Sequence, residues 1–182
     1  MRLRLRSQHH NLNAIYFSAT PESASISQGD TVDVAFYHQI NEYRGERTVQ
    51  MNILDIRPSC SADCPPDTAG YASLRSGNIS PTDAARLLPD RTTLAMVWRY
   101  LASETAPIRE DPMCLCRKIV RRSGSPLSLG QLLTCLDIFR DVELLETQRF
   151  HKYILIRLTP GDDKADLSSS RTMQTLLQAK ES

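Results

Sequence analysis

The stretch from Thr31 to Pro58, TVDVAFYHQINEYRGERTVQMNILDIRP, restricts the fold more than any other part of the chain. Val32, Val34 and Phe36 alternate with Asp33, Ala35 and Tyr37, the period of two of a half-buried strand, and Val49, Met51 and Ile53 repeat it on the return run. Between the runs, Asn41 to Arg47 places Gly45 at a turn. The two therefore read as an antiparallel hairpin with a polar outer face and an arginine-bearing tip. Leu54 and Ile56 break the alternation, which predicts a bulge or a strand edge before Pro58 ends the pairing.

Upstream, Arg2 to Arg6 alternates with the same period, leucines on one face and guanidiniums on the other. Asn13 to Phe17 supplies a fourth strand after the polar turn Ser7 to Asn11, and Gln28-Gly29-Asp30 turns into the long hairpin. A small, partly closed antiparallel β-barrel of the OB type accommodates these pieces.

Composition shifts after Pro58. Residues 59–80 hold Pro65-Pro66, Gly70, Gly77, Asn78 and several serines without a sustained period, and read as a linker. Ser80-Pro81 then opens a helix with a capping hydroxyl and a first-turn proline, Asp90 caps a second, Asp111-Pro112 a third that Gly124 stops, and Ser128 a fourth. Apolar residues recur at helical spacing in these segments: Leu94, Val97, Trp98 and Leu101; Cys116, Ile119 and Val120; Leu129, Leu132, Leu133, Leu136 and Phe139. Two short runs, 144–148 and 153–158, make a terminal hairpin. Residues 81–160 are thus expected to be a mostly helical, winged-helix-like domain, and 161–182 a tail with a short helix behind Asp166. The fold class expected is α+β.

With 22 basic and 21 acidic side chains and a formal charge of +1, the chain as a whole is not a strongly basic nucleic-acid binder, so any such role must come from local patches. No apolar run reaches the roughly 20 residues needed to cross a bilayer, and the arginine-rich start lacks the apolar centre of a signal peptide, so a soluble cytoplasmic protein without membrane contact is expected. Five cysteines form an odd set. Cys60-x-x-x-Cys64 and Cys114-x-Cys116 are not spaced as the usual zinc knuckle, and Cys116 and Cys135 on apolar helix faces read as buried thiols.

The segments RLRLR, NAIYF, GDTVDVAF, QINEYRGERTVQ and DIRP, in this order, resemble the OB domain of the RecJ-type single-strand-specific DNA exonucleases. KIVRRSGSPLSLGQLLTCLDIFRDVELLE and KADLSSSRT are similar to the C-terminal extension that some of these enzymes carry. The resemblance implies an enzyme of DNA repair and recombination that degrades single strands from the 5′ end, with manganese or magnesium held by aspartates and histidines in two catalytic domains preceding the OB segment. This chain is expected to lack those domains and the strand before RLRLR, leaving Arg2 to Arg6 as a sheet edge. His9-His10 follows Gln8 where the family's metal motif has Asp, so neither catalytic nor metal residues are assigned, and the chain alone is expected not to cleave DNA.

The expected partner is single-stranded DNA, with the parent enzyme's catalytic lobes and repair proteins as further partners. OB domains hold single strands with a basic groove and aromatic platforms. Arg4, Arg6, Tyr16, Tyr37, Asn41, Tyr43, Arg44 and Arg47 supply such groups on the outward face and turn, with Gln50 and Asn52 as hydrogen-bonding residues and Arg44 and Arg47 as phosphate contacts. In the helical half Arg117, Lys118, Arg121 and Arg122 form a basic cluster suited to phosphate and equally to a solvated face. The fourth helix turns Gln131, Thr134, Asp137, Arg140 and Asp141 outward, a mixed face that argues against a free-standing duplex reader. A protein-interaction module docking repair or replication partners is the alternative.

Overall fold

The structure, a computed structural model, describes the chain except residues 8, 9, 18, 22, 23, 25, 27, 44, 60–63, 151, 152, 160–164 and 182, and the side chains at 41, 43, 46 and 48. It divides into two compact units, Met1–Ser59 and Cys60–Ser182.

The first unit is a four-stranded sheet of β1 (Arg2–Arg6), β2 (Asn11–Tyr16), β3 (Val32–Tyr43) and β4 (Glu46–Pro58), in the order β1-β2-β4-β3. β1 with β2 and β3 with β4 are antiparallel, but β2 and β4 run parallel. The wholly antiparallel barrel expected is therefore corrected to a mixed sheet with β1 and β3 at its edges. The cause is that the returning strand of the hairpin takes the central place beside β2. β4 carries Met51, Ile53 and Ile56, all buried, and a central position covers more of that apolar surface than an edge would.

The broken alternation in β4 is a bulge. Phe36 pairs with Ile53 and Ala35 with Asp55, so Leu54 is the extra residue, and it points out with 63 % of its surface exposed. The insertion returns Ile56 to the side of Ile53, where both join Ala14 and Ile26 in the core, with Leu3, Leu5, Val32 and Val34 packed around them. β3 and β4 extend past their pairing with β2, which spans Met51 to Ile53. Val49, expected inward, is consequently 69 % exposed, and its partner Ile40 and nearby Phe36 are exposed too. The strands pair out to Tyr43 and Glu46, with Gly45 at φ +82°, so the turn is tighter than the 41–47 loop expected.

The second unit contains α1 (Thr68–Ser76), α2 (Pro81–Leu87), α3 (Arg91–Ala102), β5 (Ile108–Glu110), α4 (Pro112–Ser123), α5 (Leu129–Asp141), β6 (Leu145–Arg149), β7 (Ile154–Leu158) and α6 (Arg171–Glu181). Ser80, Asp90 and Asp111 cap their helices as expected, and Ser128 forms a full capping box with Gln131. The antiparallel sheet has the order β5-β7-β6. Its inner residues Leu145, Ile154 and Ile156 join Val97, Leu101, Leu115, Ile119, Leu136 and Phe139 in the main core.

Two elements depart from expectation. The stretch 59–80, expected as a linker, contains α1, whose Tyr71 is buried with Ala84, Leu87, Leu133 and Leu176. The tail is ordered over α6, which packs on α2 and α5 through Leu176, while Asp166 caps only a 3-10 turn at Leu167–Ser169. Together α1, α2 and α6 cover α5 on the side opposite the main core, so its expected outward residues Thr134 and Asp137 are corrected to buried.

Candidate nucleic-acid interface

The register of the sheet assembles one polar face from four strands. Arg2 pairs with Ile15, Ile15 with Asn52 and Asn52 with Tyr37, so a single row crosses the sheet from a guanidinium to a phenol ring. Three strand spacings make that row about 14 Å wide. Arg4 and Arg6 follow Arg2 along β1 at intervals of about 6.8 Å, opposite Asn13 and Asn11. All three arginines are exposed, and among the described residues no acid pairs with them.

The middle of the row is fixed by an amide chain. Gln50 Nε2 donates to Asn52 Oδ1 at 2.8 Å, and Asn52 Nδ2 donates to Gln39 Oε1 at 2.7 Å. Asn52 is 1 % exposed, a buried amide that needs such partners. Buried there, it holds the side chains of Gln50 and Gln39. Tyr37 is half exposed beside them. At the hairpin base the Ser59 hydroxyl donates to Asp33 at 2.7 Å and, with the Arg57 guanidinium at 3.2 Å, holds that carboxyl below its ordinary range.

Two of the sequence-predicted contacts stand elsewhere. Tyr16 faces the apolar cluster, on the opposite side of the sheet from Arg4 and Arg6, because its register partner is the buried Ile53. Arg47 is a strand residue on the side of Val49 and Met51, with its Nε 3.1 Å from Glu42 Oε2. Both partners of that pair are largely exposed, so it contributes little to stability. The side chains of Asn41 and Tyr43, and Arg44 altogether, lie outside the described residues, as does His9. Arg2, Asn13 and Gln39 share the polar face and were not among the predicted contacts. The alternation of Arg2 with Arg4 and the pairing of Gln39 with Gln50 were the signals for them.

The basic cluster of the second unit is largely engaged. Arg117 is half buried, with Nη2 3.1 Å from Cys114 Sγ. Lys118 Nζ meets Glu110 Oε1 at 2.5 Å; burial lowers its pKa, but the hydrogen bond and charge of Glu110 outweigh this and leave it raised. Arg122 Nη1 donates to Ser103 Oγ at 2.7 Å and lies over the Tyr100 ring, while Arg121 is exposed. The face of α5 is likewise committed: Gln131 Nε2 donates to the Arg86 carbonyl, Thr134 to the Gly130 carbonyl, and Asp141 accepts from Ser170 and Thr172 at the start of α6.

Cys64, Cys114, Cys116 and Cys135 are all buried. Cys64 and Cys116 Sγ atoms are 2.9 Å apart, and that hydrogen bond, then burial, raises the Cys116 pKa, as burial does for Cys135. Cys60 lies outside the described residues. Among those described, no three His, Cys, Asp or Glu side chains are grouped to hold a metal, and no helix is long and apolar enough to cross a membrane.

Residues 1–55 match the family model of the RecJ OB domain. This segment is thus similar to the OB domain of RecJ-type proteins. The match takes in β1 to β3 and most of β4, hence the whole polar row from Arg2 to Tyr37. No curated protein and no solved structure matches the chain.

Proposed function

We propose that the chain is a nucleic-acid-binding region of a RecJ-type nuclease of DNA repair and recombination, and that the polar face of its first unit holds single-stranded DNA. The observation that carries this reading is the row Arg2–Ile15–Asn52–Tyr37, flanked by Arg4 and Arg6. Guanidiniums along an edge strand with no acidic partner among the described residues suit a phosphate backbone, and an exposed tyrosine at the far end suits a stacked base. Metal-dependent cutting is then the work of other domains of such an enzyme, acting on the strand held here.

For the second unit the order helix, strand, helix, helix, hairpin over α3 to β7, with the sheet order β5-β7-β6, supports a winged-helix reading. Its α5 is covered by α1, α2 and α6, which favours a protein-docking role for this half over insertion of α5 into a major groove.

The test is fluorescence anisotropy of a labelled oligothymidylate with the full chain at two salt concentrations. Replacing Arg2, Arg4 and Arg6 together by Ala should weaken binding at least tenfold and flatten the salt slope by about 2, since each phosphate contact on a single strand contributes about 0.7. These side chains are exposed, so the sheet should remain folded. Unchanged affinity and slope would overturn the assignment.

A further inference from the structure

The solvent face of the second unit's sheet carries an aromatic and cationic stack that the reading above does not use. Register places Gln148 of β6 and Arg109 of β5 on either side of Leu155 of β7, on the face away from the buried Ile154 and Ile156. Beyond the ends of β6 and β7 the Phe150 N–H donates to the Tyr153 carbonyl at 2.8 Å, bringing both rings to this face. Their centroids are 4.6 Å apart with planes 24° from parallel, and the Arg109 guanidinium sits 4.0 Å from the Tyr153 centroid. Phe150 remains 46 % exposed. A cross-strand aromatic pair alone stabilises a hairpin. That role calls neither for a guanidinium on the stack nor for a ring left half open to water.

We propose that Phe150, Tyr153 and Arg109 form a stacking site for an unpaired base of single-stranded nucleic acid. Charge complementarity selects this occupant. Arg109 and Arg157 share the face and form no ion pair with a described residue, and Glu146, opposite Arg157, is the acid that the strand register places beside them. A base laid on Phe150 extends the stack, and its flanking phosphates fall to the two arginines. The inference deepens the single-strand reading and rests on it, but uses none of the first unit's residues.

The test is ultraviolet crosslinking of the full chain to an oligonucleotide containing 5-iodouracil, with the adduct located by mass spectrometry, together with anisotropy titrations. An adduct on Phe150 or Tyr153, and a loss of about 5- to 10-fold in affinity for Phe150→Ala, are expected from base–aromatic stacking. Phe150→Tyr should bind as the parent chain does. Phe150→Leu keeps an apolar contact in the hairpin but not a stacking face, and should lose affinity as Phe150→Ala does; parental affinity in the Leu variant would overturn the proposal even if the Ala variant were misfolded. If the Arg2, Arg4 and Arg6 replacement removes binding while Phe150 variants change nothing and no adduct forms there, this inference fails and the sheet reading stands. If the Phe150 variants weaken binding and the arginine replacement does not, the sheet reading fails and this one stands.

Discussion

The two units of this chain carry nearly balanced charge and dispose of it in opposite ways. Residues 1–59 hold six basic and six acidic side chains, and the remaining residues sixteen and fifteen. In the first unit three arginines stand on one sheet face with no described acid near them. In the second, cations are turned onto the unit's own acceptors: Arg140 and Arg75 on Asp137, Arg86 on Asp67, Lys118 on Glu110 and Arg149 on Tyr71. Net charge therefore does not distinguish the two units; the arrangement of ion-pair partners does. The first unit's sheet packs its core on one face and turns Arg2, Arg4 and Arg6 to water on the other, whereas α5 is buried from Leu132 to Phe139.

That contrast predicts where the chain is least tolerant. Phe139 is fully buried in the main core and packs edge-on against Trp98, 5.3 Å between centroids. Phe139→Ala should cost about 3–5 kcal/mol through lost burial and the cavity left behind. Urea unfolding followed by fluorescence of Trp98, the only tryptophan, reads this directly; a shift under about 1 kcal/mol would mean the helical core is no better packed than a loose sheet face. Gly130 comes next. A Cβ there would collide with the Asp67 carbonyl oxygen and stand 2.8 Å from Leu87 Cδ2. Since the obstacle is backbone that also carries the turn into α1, Gly130→Ala should cost about 2–3 kcal/mol even though alanine favours helices. A neutral or stabilising effect in the same assay would show that the α1 segment can move away from α5.

The hairpin, its bulge and the four capped helices were legible in the sequence because each depends on neighbours a few residues away. The parallel placement of β2 beside β4 was not, since it is decided by which hairpin strand covers more apolar surface. Arg47 was misplaced for a related reason: a loop from Asn41 to Arg47 puts it at the tip, but the strands pair out to Tyr43 and Glu46 and make it a strand residue on the Val49 side. The largest gap is α1. Its cap, Asp67, has φ 31° and makes no side-chain capping bond, and Pro65-Pro66 and Gly70 read as loop. With α1 unseen, nothing marked Asp137 as buried, because Tyr71 and Arg75, which join Arg140 in satisfying it, both come from that helix.

This pairing gives the smallest of the predicted effects and one with a pH signature. Tyr71 Oη donates to Asp137 Oδ2 at 2.5 Å and accepts from Arg149 Nη2 at 2.5 Å. Tyr71→Phe should cost about 1–2 kcal/mol at neutral pH, since the carboxylate loses one donor but keeps Arg140. Burial first, then the hydrogen bond and charge of Asp137, push the Tyr71 pKa from 10 up to about 12. Between those values the unfolded chain loses the phenolic proton while the folded chain keeps it. The stabilisation is therefore fully present below pH 10 and declines as pH rises toward 12. The buried cysteines also weaken the fold in alkali, but equally in both proteins. The gap between the parent chain and Tyr71→Phe should accordingly shrink by about 1.4 kcal/mol from pH 8 to pH 11 in parallel urea titrations. A gap independent of pH would mean that Tyr71 titrates as an ordinary phenol and that Asp137 is reached by water, breaking the contrast between a covered α5 and an open sheet face at the residue where it is sharpest.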